Sequence, residues 1–94
     1  MNKVTLDLTG VKFPQEMHRE FQKKLGFPEY YGNNWDAFWD CIMNDATVEY
    51  IEIFGESKVS PALYSMVEEL RQILQKVKSA ASEQGWAFDY KFVD

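Results

Sequence analysis

Apolar and polar residues alternate from Lys3 to Thr9: Val4, Leu6 and Leu8 share one side, and Thr5, Asp7 and Thr9 the other. A period of two is the signature of a strand buried on one face. Gly10 closes it, and the period then changes. Pro14 suits the first turn of a helix, with Phe13 just before it, and Met17, Phe21 and Leu25 recur at fourfold spacing. Lys23 and Lys24 fall near the end of that helix, where cations favour the macrodipole, and Gly26 stops it. Residues 47–54 predict a second strand, with Ile51 and Ile53 on the core face, Glu49 just outside it, and Tyr50 and Glu52 opposite. A Gly55-Glu56-Ser57-Lys58 loop leads to Ser60-Pro61, an N-cap followed by a first-turn proline. Leu63, Met66, Val67, Leu70, Ile73, Leu74, Val77, Ala80 and Ala81 then trace one apolar stripe, with Glu68, Arg71, Gln72, Gln75 and Lys78 outside it. This longest helix ends before Gly85 in the C′ role. Residues 86–93 alternate again, Trp86, Phe88, Tyr90 and Phe92 against Ala87, Asp89, Lys91 and Val93.

Helical connections between strands imply parallel pairing and right-handed crossovers. With strands in sequence order 1-2-3, both crossovers place their helices on the same sheet face. The alternation agrees, because strands covered on both sides read as continuously apolar. The expected architecture is a two-layer α/β domain spanning residues 1–94, with a three-stranded parallel sheet and its helices packed on one face. Thr5, Asp7, Asp89 and Lys91 are the candidates for the uncovered face.

Residues 28–41 do not fit so simple a scheme. Two tyrosines, Tyr30 and Tyr31, lead into a Gly32-Asn33-Asn34 turn, and Asn34 is a good N-cap for a short helix. At about 100° per residue, Phe38, Cys41 and Ile42 form a core face with Trp35 near its edge. Asp36, Trp39, Asp40 and Met43 fall on the opposite side. Asp36 and Asp40 repel each other at i, i+4 by a few tenths of a kcal/mol. Proximity to the helix N-terminus recovers a similar amount. Two readings stay open. An indole between two carboxylates suits the gripping of a basic partner, or Trp39 folds back onto the domain and the acids are merely solvated.

The 94 residues, 46% hydrophobic and 27% charged, describe a globular chain rather than a disordered one. A net charge of −5 argues against a phosphate-binding surface, hence against direct nucleic-acid binding, and for a cationic partner. One cysteine, Cys41, permits no intrachain disulfide, which fits a reducing, cytoplasmic setting. No run approaches the length of a membrane span. His18, the one histidine, flanks the first helix's stripe without a second metal-ligating residue at useful spacing. It reads as a semi-buried residue bonding a nearby loop rather than a catalytic base. Glycine-rich phosphate loops, Cys/His metal spacing and a nucleophile elbow are all absent, so no metal, cofactor or enzymatic activity is expected. Asp36, Asp40, Asp45 and Glu49 have no catalytic lysine or second base beside them.

The run Pro28-Glu29-Tyr30-Tyr31-Gly32-Asn33-Asn34-Trp35-Asp36-Ala37-Phe38-Trp39-Asp40-Cys41 closely resembles the signature of the barstar family, intracellular inhibitors of small secreted ribonucleases. The likeness extends more weakly through the His18 helix, the Val48-Glu49-Tyr50 strand and the long helix ending at Gly85. It implies the same two-layer fold, and an inhibitor that plugs a ribonuclease active site with the loop and helix at 29–43. By match of motif, Asp40 takes the place of the scissile phosphate, Tyr30 lies against the catalytic histidine, and Asp36 and Trp39 engage an arginine. Gly32 and Asn34 make close backbone and polar contacts, and Met43 completes the target-binding set. The implied partner is a basic, secreted-type ribonuclease bound 1:1. The alternative is a barstar-like interaction module or immunity protein for a different basic toxin or protein. Trp35 stands where the family pattern suggests a smaller aliphatic residue. Met43 and Asp45 replace a threonine and a tryptophan of the best-known member, and a late acidic contact aligns with Ala80, leaving Glu83 as its substitute.

Overall fold

A computed structural model describes residues 3–44 and 48–93. Strands β1 (Lys3–Asp7), β2 (Tyr50–Phe54) and β3 (Asp89–Val93) form one parallel sheet in the order 1-2-3. Helices α1 (Pro14–Leu25) and α2 (Trp35–Asn44) connect the first two strands, and α3 (Tyr64–Glu83) connects the last two. Register pairs Leu6 with Ile53, and Ile53 in turn with Phe92, so each strand directs its apolar set to the same side. Leu6, Ile51 and Ile53 are fully buried there, against Met17 and Phe21 of α1, Phe38 and Ile42 of α2, and Leu70, Leu74 and Val77 of α3. Burying one such side chain stabilises the fold by about 1.5–3 kcal/mol. Thr5, Asp7, Asp89 and Lys91 are all exposed, as the alternation requires.

The strands are shorter than the alternating runs. Leu8 and Val48 are buried but lie just beyond the paired ladder, and Trp86 to Phe88 approach the sheet before pairing begins. Asp45 and Thr47 lie outside the described residues. The long helix also starts later than Ser60-Pro61 suggests. Pro61–Leu63 form a turn of 3-10 helix, and the α-helical run begins at Tyr64. Ser60 makes no side-chain cap; its backbone amide bonds Val11 instead, tying this turn to the end of the first strand. At the other end Gly85, at φ 75°, allows Trp86 and Gly85 to bond back to Ala81 and Ser82. That paired return satisfies the last carbonyls of the helix. The free edge of β1 is blunted by α1, whose Glu20 carboxylate accepts from the Asp7 amide at 2.9 Å.

Candidate target-binding surface

The segment between α1 and α2 is held from both sides. Leaving α1, Tyr31 donates its amide to Pro28 O at 3.0 Å, closing a turn, and Gln22 of α1 donates its side-chain amide to the same carbonyl at 2.9 Å. Asn33 adopts φ 53°, a left-handed conformation that asparagine tolerates better than most residues. Asn34 then caps α2 as expected: its Oδ1 accepts from the Ala37 amide at 2.8 Å, while its Nδ2 donates to Gly32 O at 3.1 Å. A Cβ on Gly32 would come within 3.2 Å of that Nδ2, so the turn is too tight there for a comfortable side chain.

One tyrosine of the pair faces in and the other out. Tyr31 is buried against Phe27, and its hydroxyl lies 2.6 Å from His18 Nδ1. Tyr30 is 78% exposed. Burial raises the Tyr31 phenol above its usual pKa and lowers that of the His18 imidazole. Both groups are therefore neutral near pH 7. His18 thus serves as a satisfied histidine bonding a neighbouring loop.

In α2, Phe38, Cys41 and Ile42 are buried, and Asp36 and Asp40 are exposed. Trp39 belongs to neither extreme. It is half-buried, packed at the margin of the core, and lines a groove of about 440 Å³ between α2 and α3. Trp35 and Asp36 line the same groove, which Glu69, Ile73 and Lys76 close from α3. Trp35 turns back onto the rings of His18, Phe21 and Phe38, so the large residue is absorbed at the edge of an aromatic cluster. Met43 is also half-buried against the core, more withdrawn than a position on the acidic face suggests. On α3, Ala80 is half-buried and Glu83 is exposed at the last turn.

The charges of this surface are unbalanced. Glu20, Glu52, Glu56 and Asp89 each pair with a lysine or arginine. Among the described residues neither Asp36 nor Asp40 has an ion-pair partner; only the Asp40 backbone carbonyl is used, by the Asn44 side chain. Two carboxylates on one helical face, one turn apart, are left to solvent. Such a face attracts cations and gives nothing to catalysis without a neighbouring acid or nucleophile. No group of three or more potential metal ligands occurs among the described residues, and no helix there is long and apolar enough to cross a membrane.

The α3 side of the groove was not foreseen from the sequence. Its residues sit on the outward margin of an ordinary amphipathic stripe, and nothing in a helical pattern tells which outward residues meet another helix. Ile73, read from the sequence as part of the stripe, is half-buried at its margin and is the one available hint.

Residues 1–93 match the model of the family described as Barstar (barnase inhibitor). A curated protein of Bacillus subtilis (strain 168), named "Putative ribonuclease inhibitor YrdF", is 25% identical over 85 residues, covering 89% of this chain and 93% of that protein.

Proposed function

The chain belongs to the barstar family, a family of inhibitors and not of enzymes, and from that membership we propose that it blocks the active site of a small basic ribonuclease. The observation that carries this reading is the pair of exposed carboxylates at Asp36 and Asp40, without an ion-pair partner among the described residues, with the Trp39 indole between them at the edge of a groove. A site that cleaves RNA must hold a phosphate, and so presents a preformed cationic pocket. Asp40, on a capped helix packed against the core, enters that pocket as a phosphate substitute. Because the helix is already ordered, little conformational freedom is lost on binding. Asp36 and Trp39 receive a neighbouring cationic side chain, the indole face and carboxylate acting together. Tyr30, Gly32 and Asn34 supply the flanking contacts from the loop. Met43, half-buried, supports the far end of the helix more than it reaches outward.

The partner is a secreted-type ribonuclease bound 1:1, and the inhibitor acts in the cytoplasm, before any such enzyme reaches cellular RNA. Opposite net charge accelerates their encounter. Titrating RNA cleavage by barnase, and by other small basic ribonucleases, with this chain tests the proposal. Complete inhibition at one equivalent is the expected result. Undiminished cleavage by every such enzyme at excess inhibitor overturns it, and leaves the alternative of a different basic toxin as target.

A further inference from the structure

His18 is the one buried polar side chain among the described residues, 5% exposed. It lies one turn before Gln22 on α1, and residues four apart share a helix face. Together they hold the following loop at two points, Gln22 at the Pro28 carbonyl and His18 at the Tyr31 hydroxyl. The imidazole also packs on Trp35, the first residue of α2, with ring centroids 5.3 Å apart, and edge-on to Phe21. A single ring therefore touches the loop that carries Tyr30 and the helix that carries Asp36 and Asp40. An aliphatic residue would fill this space at less desolvation cost, but without direction. A hydrogen bond in an apolar pocket fixes orientation, because any other arrangement leaves a buried donor or acceptor unmet.

We propose that His18 is a positioning residue for target recognition: by holding the Tyr31 hydroxyl and backing the Trp35 ring, it fixes how Tyr30 is presented relative to the acidic face of α2. This role rests on the reading of loop and helix as the target-binding face.

Two variants of the whole chain test the assignment. Tyr31→Phe removes one oxygen and keeps the ring, and His18→Gln keeps an amide able to meet the Tyr31 hydroxyl. In the free chain, exchange of the hydrogen-bonded amides of Tyr31, Ala37 and Phe38 should quicken about tenfold in Tyr31→Phe, with α3 amides unchanged, as expected for one lost buried hydrogen bond. In the complex with barnase as probe, Tyr31→Phe should dissociate about tenfold faster, and His18→Gln, which keeps a partner for the hydroxyl but loses the ring behind Trp35, should dissociate faster than wild type by less than that. Unchanged loop exchange in Tyr31→Phe, loss of protection spread equally over α3, or wild-type dissociation of Tyr31→Phe each overturns the role. A wild-type chain that binds no small basic ribonuclease overturns the function proposed above instead, and the loop exchange then decides the role of His18 by itself.

Discussion

Removing the Asp40 carboxylate should move folding stability and target binding in opposite directions. Asp40 is exposed, sixth in a ten-residue helix, and has no ion-pair partner among the described residues. Asp40→Ala therefore breaks no fold contact of the side chain. It relieves repulsion from Asp36, worth about 0.2–0.5 kcal/mol, and replaces a poor helix former with the best, worth up to about 0.7 kcal/mol. The residue lies beyond the first turn, so the macrodipole contributes little. The sum is a stabilisation of about 0.5–1 kcal/mol, or roughly 2–8 °C in Tm for a domain of this size. In the complex, a carboxylate enclosed by cationic groups leaves those groups unpaired when truncated, at a cost of about 2–5 kcal/mol. Charge pairs measured in this family are among the cases behind that range, so it is a transferred magnitude. At 1.4 kcal/mol per decade it predicts roughly 30-fold to several-thousand-fold weaker binding, most of it in the dissociation rate. Thermal unfolding of the free variant and surface-plasmon kinetics against the ribonuclease read the two halves separately. A variant that is less stable than wild type, or that dissociates at the wild-type rate, refutes the reasoning.

Three further outcomes follow from the same geometry. Raising ionic strength should slow association with the ribonuclease more than it speeds dissociation in stopped-flow measurements, because exposed charges act mainly in steering; a salt-insensitive association rate contradicts this. Asn34→Ala should lower stability to urea by about 1 kcal/mol through loss of the bond to the Ala37 amide, whereas Asn33→Gly, at a left-handed position, should be neutral or mildly stabilising. Burial raises the Tyr31 phenol, so the unfolded chain ionises first on the alkaline side. Stability should be intact below pH 10 and fall as pH rises past it in a denaturation series, with Tyr31→Phe flattening that limb.

The fold was largely legible because its constraints are periodic. Alternation at Val4-Leu6-Leu8 and Ile51-Ile53, with a long stripe from Leu63 to Ala81, determines which faces are buried and so the two-layer parallel arrangement. Chain ends of elements were less legible. Leu8, Val48 and Phe88 are apolar because they are buried beside the sheet, not because they pair in it, and periodicity cannot separate the two. Ser60-Pro61 marks a helical start, yet proline is equally at home in the 3-10 turn found there. Within the candidate site, the Asn34 cap and the exposed acids were readable from local chemistry. His18 was readable as a histidine bonding a nearby loop but not its partner Tyr31, Trp39 was left between two readings, and the groove against Ile73 was not readable. Each depends on the distance between elements far apart in sequence, which a helical or strand period does not encode.

The central claim is that an acidic helix occupies the place of an RNA phosphate in the ribonuclease. Competition with a mononucleotide for the enzyme tests it most directly, with binding followed by calorimetry at fixed ionic strength. Full exclusion is expected: ribonuclease saturated with this chain binds no nucleotide, and added nucleotide lowers the chain's apparent affinity in proportion to its own saturation. A ternary complex of ribonuclease, nucleotide and this chain, formed with undiminished affinity for both, contradicts it.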